Sequence, residues 1–575
     1  MADKIFRVNM TDLSTSIEDV PADWAGHGGR GLTSNIVAAE VPPTCHPLGP
    51  NNKLIFAPGL LSGTAASNSG RISAGAKSPL TGTIKESNSG GTSAQSLAKI
   101  GCKALIIEGQ PKDGSWYSIS LKPGEVTITK EEELIGKGNF AVVANVEKRF
   151  SDKISILSIG QAGEMQMTAA NISVKDPDSH LRSLGRGGLG AVMGSKKIKF
   201  IALDAGDGKV EIADLDAFKA ANKIFTKALV DHPVSQALGT YGTNVLTNII
   251  NEAGGLPTKN FTAGQFEGHE QISGETMHDL IVERGGKPKH ACHKGCVIQC
   301  SQIYNDLKGK YKTSGIEYES IWAMGADCTV DNLDQIAEMD HIMDDIGIDT
   351  IETAVAFGVA MEGGVLEFGD SNEMIRIMKE DIAKGTALGR VIGNGAGSVG
   401  RTYGVTRVPV VKNQAIPAYD PRAIKGIGIT YATSTQGADH TMGYTIATEI
   451  LGVGGTADPL SKEGMVELSR GLQIATAAID STGMCLFIAF AALDDETCLP
   501  ALIDMLNARF GISLVADDVT NLGTSILKTE HAFNIAAGFT NLDDRLPEFF
   551  ETEPVPPHNA VWDFTGEEID TFWNF

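Results

Sequence analysis

Cys292-His-Lys-Gly-Cys296-Val-Ile-Gln-Cys300 packs three of the chain's eight cysteines into nine residues, and Cys485 supplies a distant fourth candidate. Thiolates are the ligands that iron–sulfur clusters and zinc select, so one reading is a metal centre built on these sulfurs. A second is a structural zinc site that borrows His290 or His293. A third is a buried row of small side chains, because positions i, i+4 and i+8 share one face of a helix. Spacing alone leaves all three open.

Composition sets the frame. A chain of 575 residues exceeds one typical domain, and 42% hydrophobic with 21% charged residues is ordinary for a globular protein. Its 66 glycines are an excess that points to tight turns and close backbone approaches. The longest apolar run, Met484 to Leu493, is too short for a membrane span, and the polar start Met1-Ala-Asp-Lys4 is unlike a signal peptide. The expected location is therefore cytoplasmic. There, eight cysteines argue for metal binding over a disulfide framework, with Cys45, Cys102, Cys328 and Cys498 left as core or incidental residues. A net charge of −23 excludes nucleic acid as an expected partner.

From Lys4 to about Asp204, alternating segments broken by glycine predict β-strands, among them Ile5–Asn9, Lys53–Ala57, Ala104–Glu108, Ile154–Ile159 and Ile198–Ala202. The glycine-rich loops between them, some bearing arginine, are suited to phosphate groups. Runs starting at Gly26 and Gly185 match G-x-G-x-x-G, but a dinucleotide site needs a strand before and a helix after, and neither run is expected to have both. Beyond Gly206 the period changes to 3.6. Stripes at Phe218, Ala221, Ile224, Phe225 and Leu229, at Leu333 to Ile346, and at Met465, Leu468, Leu472, Ala475 and Ile479 predict helices. Two of these end in related hexapeptides, Asp344-Asp-Ile-Gly347-Ile-Asp349 and Asp480-Ser-Thr-Gly483-Met-Cys485. A glycine past a helix end is a common cap. The pair of motifs suggests that two similar heterocycles are gripped through their ring N–H groups.

With Ser78-Pro-Leu-Thr-Gly82, Asn88-Ser-Gly-Gly91, Gly185 to Ser195, Glu317-Tyr-Glu-Ser-Ile-Trp-Ala323 and Pro417-Ala-Tyr-Asp-Pro-Arg422, these motifs make the chain resemble, over nearly its full length, the catalytic subunit of tungsten-dependent aldehyde:ferredoxin oxidoreductases. The resemblance implies an α+β fold. A domain of two β-sheets (1–206) forms the cofactor base and two mainly helical domains (207–405 and 406–575) cover it. It implies tungsten or molybdenum held by two pterins whose phosphates share a magnesium ion, beside a [4Fe–4S] cluster. By position, Arg71, Asn88, Gly90, Arg182 and Gly185 would hold pterin and phosphate groups. Asp344, Ile348, Asp349, Asp480, Cys485 and Leu486 would line the pterin edges, and Glu319 and His440 would handle protons. Many members carry a first cluster cysteine where this chain has Lys289, so the ligand set shifts to Cys292, Cys296, Cys300 and Cys485. Glu338-Met-Asp-His341 keeps part of a subunit-bridging iron site, but no histidine lies between His341 and His440 to complete it, and that iron is not expected.

The implied reaction oxidises an aldehyde plus water to the carboxylic acid and passes electrons through the cluster to ferredoxin or a ferredoxin-like subunit, in a homo- or hetero-oligomer. One alternative on the same scaffold reduces an aromatic acyl-CoA thioester. Another, of a different class, is a non-catalytic, zinc-stabilised anion-binding scaffold.

Overall fold

Alternation decides the first third of the chain. The structure, a computed structural model, describes residues 3–575. Strands β1 (Lys4–Asn9), β2 (Ser14–Asp19), β3 (Leu54–Pro58), β4 (Ile72–Lys77), β5 (Ile84–Ser89) and β6 (Cys102–Glu108) form one sheet in the order β2-β1-β6-β3-β4-β5. Phe6, Val8, Leu54, Phe56, Leu105 and Ile107 point to one side. Their neighbours Ile5, Ile55, Ala57, Ala104 and Ile106 point to the other, under Leu32, Ile36 and Val37 of the Gly29–Glu40 helix. Both faces are buried, so a slip of one residue would exchange two full sets of contacts, and the register is strongly specified.

The second sheet contains β7 (Tyr117–Lys122), β8 (Glu125–Lys130), β9 (Ser155–Ser158), β10 (Ile172–Lys175), β11 (Leu181–Leu184) and β12 (Ile198–Leu203), in the order β11-β10-β9-β12-β7-β8. Ile119, Leu121, Leu157, Ile172, Val174 and Ile201 meet the first sheet in a shared core. Each sheet is mixed, with β1 parallel to β6 and β7 parallel to β12. The expected base of two sheets followed by a mainly helical remainder is the observed architecture.

Several expectations need correction. The run at Gly185 has both a strand before it, β11, and a helix after it, Leu189–Ser195, entered through the left-handed Gly188 (φ 76°). It is still no dinucleotide fold, because β11 is an edge strand pairing only antiparallel to β10. The run at Gly26 opens the Gly29–Glu40 helix but follows the short Ala22–Ala25 helix and not a strand, so it lacks one flank as expected. Cys292 to Cys300 is irregular backbone, so the three thiols share no helical face. In the Leu215–Asp231 helix Ile224 leaves the buried stripe and is 49% exposed.

The Met465–Thr482 helix inverts the middle of its expected face, while Met465 and Ile479 at the ends of the stripe stay buried. Ser469 and Gln473 are buried, because Ser469 Oγ shares a hydrogen bond with Thr430 Oγ1 (2.7 Å) and Gln473 Nε2 donates to Thr433 Oγ1 (2.9 Å). Leu472 and Ala475 are left on the open side. No helix among the described residues is long and apolar enough to cross a membrane.

One buried ion pair ties distant segments together. Arg30 donates from Nε and Nη2 to the two carboxylate oxygens of Glu530 (2.9 and 2.8 Å), which also accept from Ser34 Oγ (2.8 Å) and Thr435 Oγ1 (2.5 Å). The first helix, the Ala516–Ala536 helix and the turn at Thr435 are thereby joined. Glu530→Ala leaves the guanidinium buried without its main partner and is expected to cost about 3–5 kcal/mol. Urea or thermal unfolding reads this directly, and the double replacement Arg30→Met/Glu530→Leu is expected to cost less than Glu530→Ala alone.

Candidate active site

The two hexapeptides reach the sheets in the same way. The Leu333–Ile346 and Met465–Thr482 helices end in left-handed glycines, Gly347 (φ 76°) and Gly483 (φ 82°). Each sits on another glycine just past a base strand. A β-carbon on Gly160, after β9, would overlap the Ile346 carbonyl, and one on Gly59, after β3, would overlap the Gly483 backbone. Asn171 N donates to the Gly347 carbonyl and Arg71 N to the Gly483 carbonyl, each at 3.0 Å. Glycine is required on both sides, once for conformation and once for closeness.

Around these junctions lies a cavity of about 690 Å³. The N-terminal loops contribute Arg71, Asn88, Gly90, Arg182 and Gly185 to its wall. Asp344, Asp349, Cys485 and Leu486 come from the hexapeptides, with Cys292, Cys296 and Cys300 beside them and Glu319 and His440 at another side. Ile348 and Asp480 do not reach this wall. Ile348 is buried in the apolar core and its backbone pairs with Ala170.

The hexapeptide carboxylates differ in what they meet. Asp480 faces Arg30 Nη1 at 3.5 Å, and burial beside Glu86 raises its pKa to about 7. Asp349 caps the next helix by accepting from Ile351 N (3.0 Å) and also accepts from Arg186 Nε (3.3 Å). The Asp344 carboxylate, on the cavity wall, has no hydrogen-bond or ion-pair partner among the described residues. Burial, with Asp340 close by, pushes its pKa far above the usual carboxylate range. A carboxylate held without donors is costly unless something in the cavity supplies them.

The thiols converge. Cys292 and Cys296 lie together with His293, their ligand atoms within 4.8 Å of one another, and Cys300 and Cys485 line the same cavity. Gln299 N donates to Cys296 Sγ (3.3 Å) and Asn68 Nδ2 points at it (3.9 Å). His293 Nδ1 is 3.3 Å from Cys292 Sγ. His290 turns away, bonding Asp178 (2.9 Å) through Nε2 and Arg182 (3.2 Å) through Nδ1. Arg71 sits next to the sulfurs; burial lowers its pKa, but Cys485, Cys292, Asp480 and Cys300 raise it more.

Glu319 Oε2 accepts from Ala418 N (3.0 Å), while Oε1 is 3.3 Å from His440 Nε2 without an aligned hydrogen bond. Burial raises the Glu319 pKa, only partly opposed by His440. Motif reading missed three neighbours. Tyr419 and Tyr444 join their hydroxyls at 2.9 Å on the same wall. Glu317 also lines it, its pKa raised to about 7 by burial, and accepts from Thr243 Oγ1 (2.6 Å). Glu317 and Tyr419 stood inside quoted motifs, whereas nothing in the sequence flags Tyr444.

A family model described as "Aldehyde ferredoxin oxidoreductase, N-terminal domain" matches residues 5–205, and one for "domains 2 & 3" matches 220–571. The chain is 36% identical over 573 residues to a tungsten-containing aldehyde ferredoxin oxidoreductase of Pyrococcus furiosus, and 38% identical over 574 residues to that of Thermococcus kodakarensis. Both alignments span 96% of this chain and 92% of the relative. The chain belongs to the aldehyde ferredoxin oxidoreductase family. It is thus an oxidoreductase. The solved active-site complex BamBC of benzoyl coenzyme A reductase, with 1,5-dienoyl-CoA, has the same fold. Its TM-score is 0.81 at 17% identity, over 99% of this chain and 93% of that one.

Within the aldehyde ferredoxin oxidoreductase frame, Lys289 is exposed and its side chain lies against Gly239. Glu338 accepts from both Lys312 and Lys379, and His341 stacks on Phe140 with ring centroids 4.5 Å apart. Because Asp344 has no partner and Asp480 faces a buried arginine, their removal separates in stability. In the cofactor-free protein, Asp344→Ala is expected to leave the unfolding midpoint unchanged or higher, and Asp480→Ala to cost about 1–3 kcal/mol. Equal losses in the two variants would mean that the carboxylates are equally engaged.

Proposed function

We propose that this chain oxidises an aldehyde, R–CHO + H2O → R–COOH + 2 e⁻ + 2 H⁺, as a cytoplasmic tungsten or molybdenum bis-pterin enzyme. A [4Fe–4S] cluster held by Cys292, Cys296, Cys300 and Cys485 would supply the route for the electrons to ferredoxin or a ferredoxin-like subunit. The observation that carries this reading is one cavity wall combining four thiols, a donor-less carboxylate at Asp344, and the facing pair Glu319 and His440. The name of the Pyrococcus and Thermococcus relatives supports the metal.

The residues fit the group. Asp344 offers a buried acceptor to a pterin ring N–H, and Gly185 leaves open space where a side chain would stand. Arg71, Asn88, Gly90 and Arg182 would hold the pterins and their phosphates, whose charge magnesium would help to neutralise. Asp349, Asp480, Ile348 and Leu486 are assigned to the pterin-contacting segments, Asp480 and Ile348 acting through the backbone they fix. Cys292, Cys296, Cys300 and Cys485 would ligate the cluster, with Gln299 N–H directed at one sulfur. When bound, the metal accepts two electrons as the carbonyl carbon is oxidised.

The protein's part is proton handling and orientation. Glu319 takes a proton from the attacking water at Oε1, the oxygen left without a hydrogen bond, while the Ala418 N–H keeps Oε2 in place. His440 Nε2, 3.3 Å away, receives that proton and moves it outward. The phenol pKa values of Tyr419 and Tyr444 are raised chiefly by burial, so both stay protonated, and the one that accepts from its partner has its own O–H free to donate to the carbonyl oxygen.

Glu319→Gln and His440→Asn are expected to retain metal and pterin yet lose aldehyde oxidation by about 10²-fold or more. Glu319 must be ionised to act as a base, and its pKa is raised, so kcat/KM falls as pH drops through a value above the ordinary carboxylate range. The Gln variant lacks that limb. Reduction of an aromatic acyl-CoA with no aldehyde turnover would replace this reading. Cys300→Ala is expected to lose iron and acid-labile sulfide, and Asp344→Ala to lose pterin. A colourless wild-type protein carrying zinc would instead identify a scaffold.

A further inference from the structure

The segment Arg284 to Asn305, which carries three of the thiols, is basic within an acidic protein. It has Arg284, Lys287, Lys289 and Lys294 and no carboxylate, although acidic residues outnumber basic ones 71 to 48 in the chain. Lys287 and Lys289 stand two apart, and so on one face, of β13 (Lys287–His290). This strand is the edge of a small sheet continued by β14 (Ser301–Asn305) and β15 (Tyr311–Ser314). Both lysines are exposed, as are Lys294 and Gly295 in the thiol loop between Cys292 and Cys296. Among the described residues none of the three lysines makes an ion pair. The nearby Asp178 is bound to His290.

The hairpin after β14 extends the edge. Lys308 and Lys310 are exposed, while Asp306 turns its Oδ1 onto their backbone N–H groups (2.8 and 2.9 Å). Leu307 at the tip is 79% exposed. Asn305 Nδ2 reaches the Arg284 carbonyl (3.2 Å), which ties the hairpin to the end of the Gly274–Glu283 helix, where Val282 is 56% exposed. Glu283 is the exposed carboxylate at this margin.

We propose that this edge is the docking surface for a small acidic one-electron carrier protein, with Lys287, Lys289 and Lys294 steering it and Leu307 and Val282 as apolar anchors. The inference rests on the proposed function for the electrons but not for the binding. A chain of net charge −23 repels an acidic partner over most of its surface, so an unpaired basic edge selects both partner and orientation. A carrier seated here meets the exposed turn of the thiol loop. The two electrons released per aldehyde leave one at a time, each reducing one carrier molecule, and the two protons pass to water.

The test uses the holoenzyme, an acidic bacterial-type ferredoxin as probe, and the triple variant Lys287→Gln/Lys289→Gln/Lys294→Gln, with iron per chain checked as unchanged. At low salt the ferredoxin KM is expected to rise about tenfold and its salt dependence to flatten. Aldehyde oxidation with benzyl viologen, a small cation the lysines do not attract, stays at the wild-type rate or above. Calorimetry should show the same loss of ferredoxin binding, and Leu307→Asp should weaken binding without changing the salt slope. An unchanged KM and salt slope would overturn the proposal. So would a variant whose only change is aggregation, which would make the lysines guards of a bare edge strand, or one whose only change is a smaller oligomer, which would make the edge a contact between copies of this chain. Wild-type enzyme without viologen-linked aldehyde oxidation would refute the function, while lysine-dependent ferredoxin binding would still stand.

Discussion

Two glycine-on-glycine contacts fix the geometry on which the rest depends. Gly347 against Gly160 and Gly483 against Gly59 bring two helix ends to backbone distance from the sheets. Their carbonyls complete hydrogen bonds from Asn171 and Arg71. No side chain separates helix from strand at either point, so the residues flanking each glycine are placed by main-chain geometry, with no dependence on a rotamer. The cavity is what remains between the two junctions, and backbone placement of this kind holds a site more firmly than loop side chains do.

Burial then loads this space with charge. Arg71, Arg182 and Arg186 stand beside Glu317, Asp340, Asp344 and Asp349, all on one wall. Some are satisfied within the protein, as Arg182 is by Asp176 (3.0 Å) and Asp340 by Thr313 Oγ1 (2.6 Å). Others are left short: Asp344 has no donor among the described residues and burial pushes its pKa far above the usual carboxylate range, and even the singly bonded Glu317 and Asp340 rise to about 7 and about 6 because burial dominates. Fully matched charge would mark a structural network, and its absence would mark an ordinary apolar pocket. A partial match is what a preformed polar ligand site requires: the missing donors and charges are those the ligand brings.

The sequence was legible where physics is local. Short apolar segments broken by glycine located the strands, because both faces of the first sheet are buried, and repetition of one hexapeptide drew attention to two helix ends that do share a cavity. Long-range pairing was not legible. Glu530 lies 500 residues from Arg30, and nothing around either residue signals the other. The Gly59 and Gly160 seats read as ordinary turn glycines until the opposing glycines are seen. Asp345, which looks like a surface neighbour of Asp344, accepts from Phe140 N at 3.1 Å and is half-buried. The Met465–Thr482 stripe failed for another reason: hydrophobic periodicity assumes that the polar face meets water, and here Ser469 and Gln473 find their partners inside the protein.

That inversion bears on what the site can take. With its polar residues committed inward, the helix turns Leu472, Ala475 and Ile479 to the cavity, opposite Phe490, Leu499 and Val519. The same cavity carries its ionisable groups at the other end, with Tyr444 between, its hydroxyl on Tyr419 and its ring edge-on to Phe490 at 6.1 Å. One arm is thus apolar and one end is polar. A hydrocarbon portion of a ligand would meet these apolar side chains, and a polar function would meet Glu319 and His440. Thr476 and Thr520 are the hydroxyls among these apolar side chains, so a carboxylate or phosphate there would find few donors to replace its lost water. The apolar residues in the middle of this stripe are therefore placed to line the cavity and not to join the core.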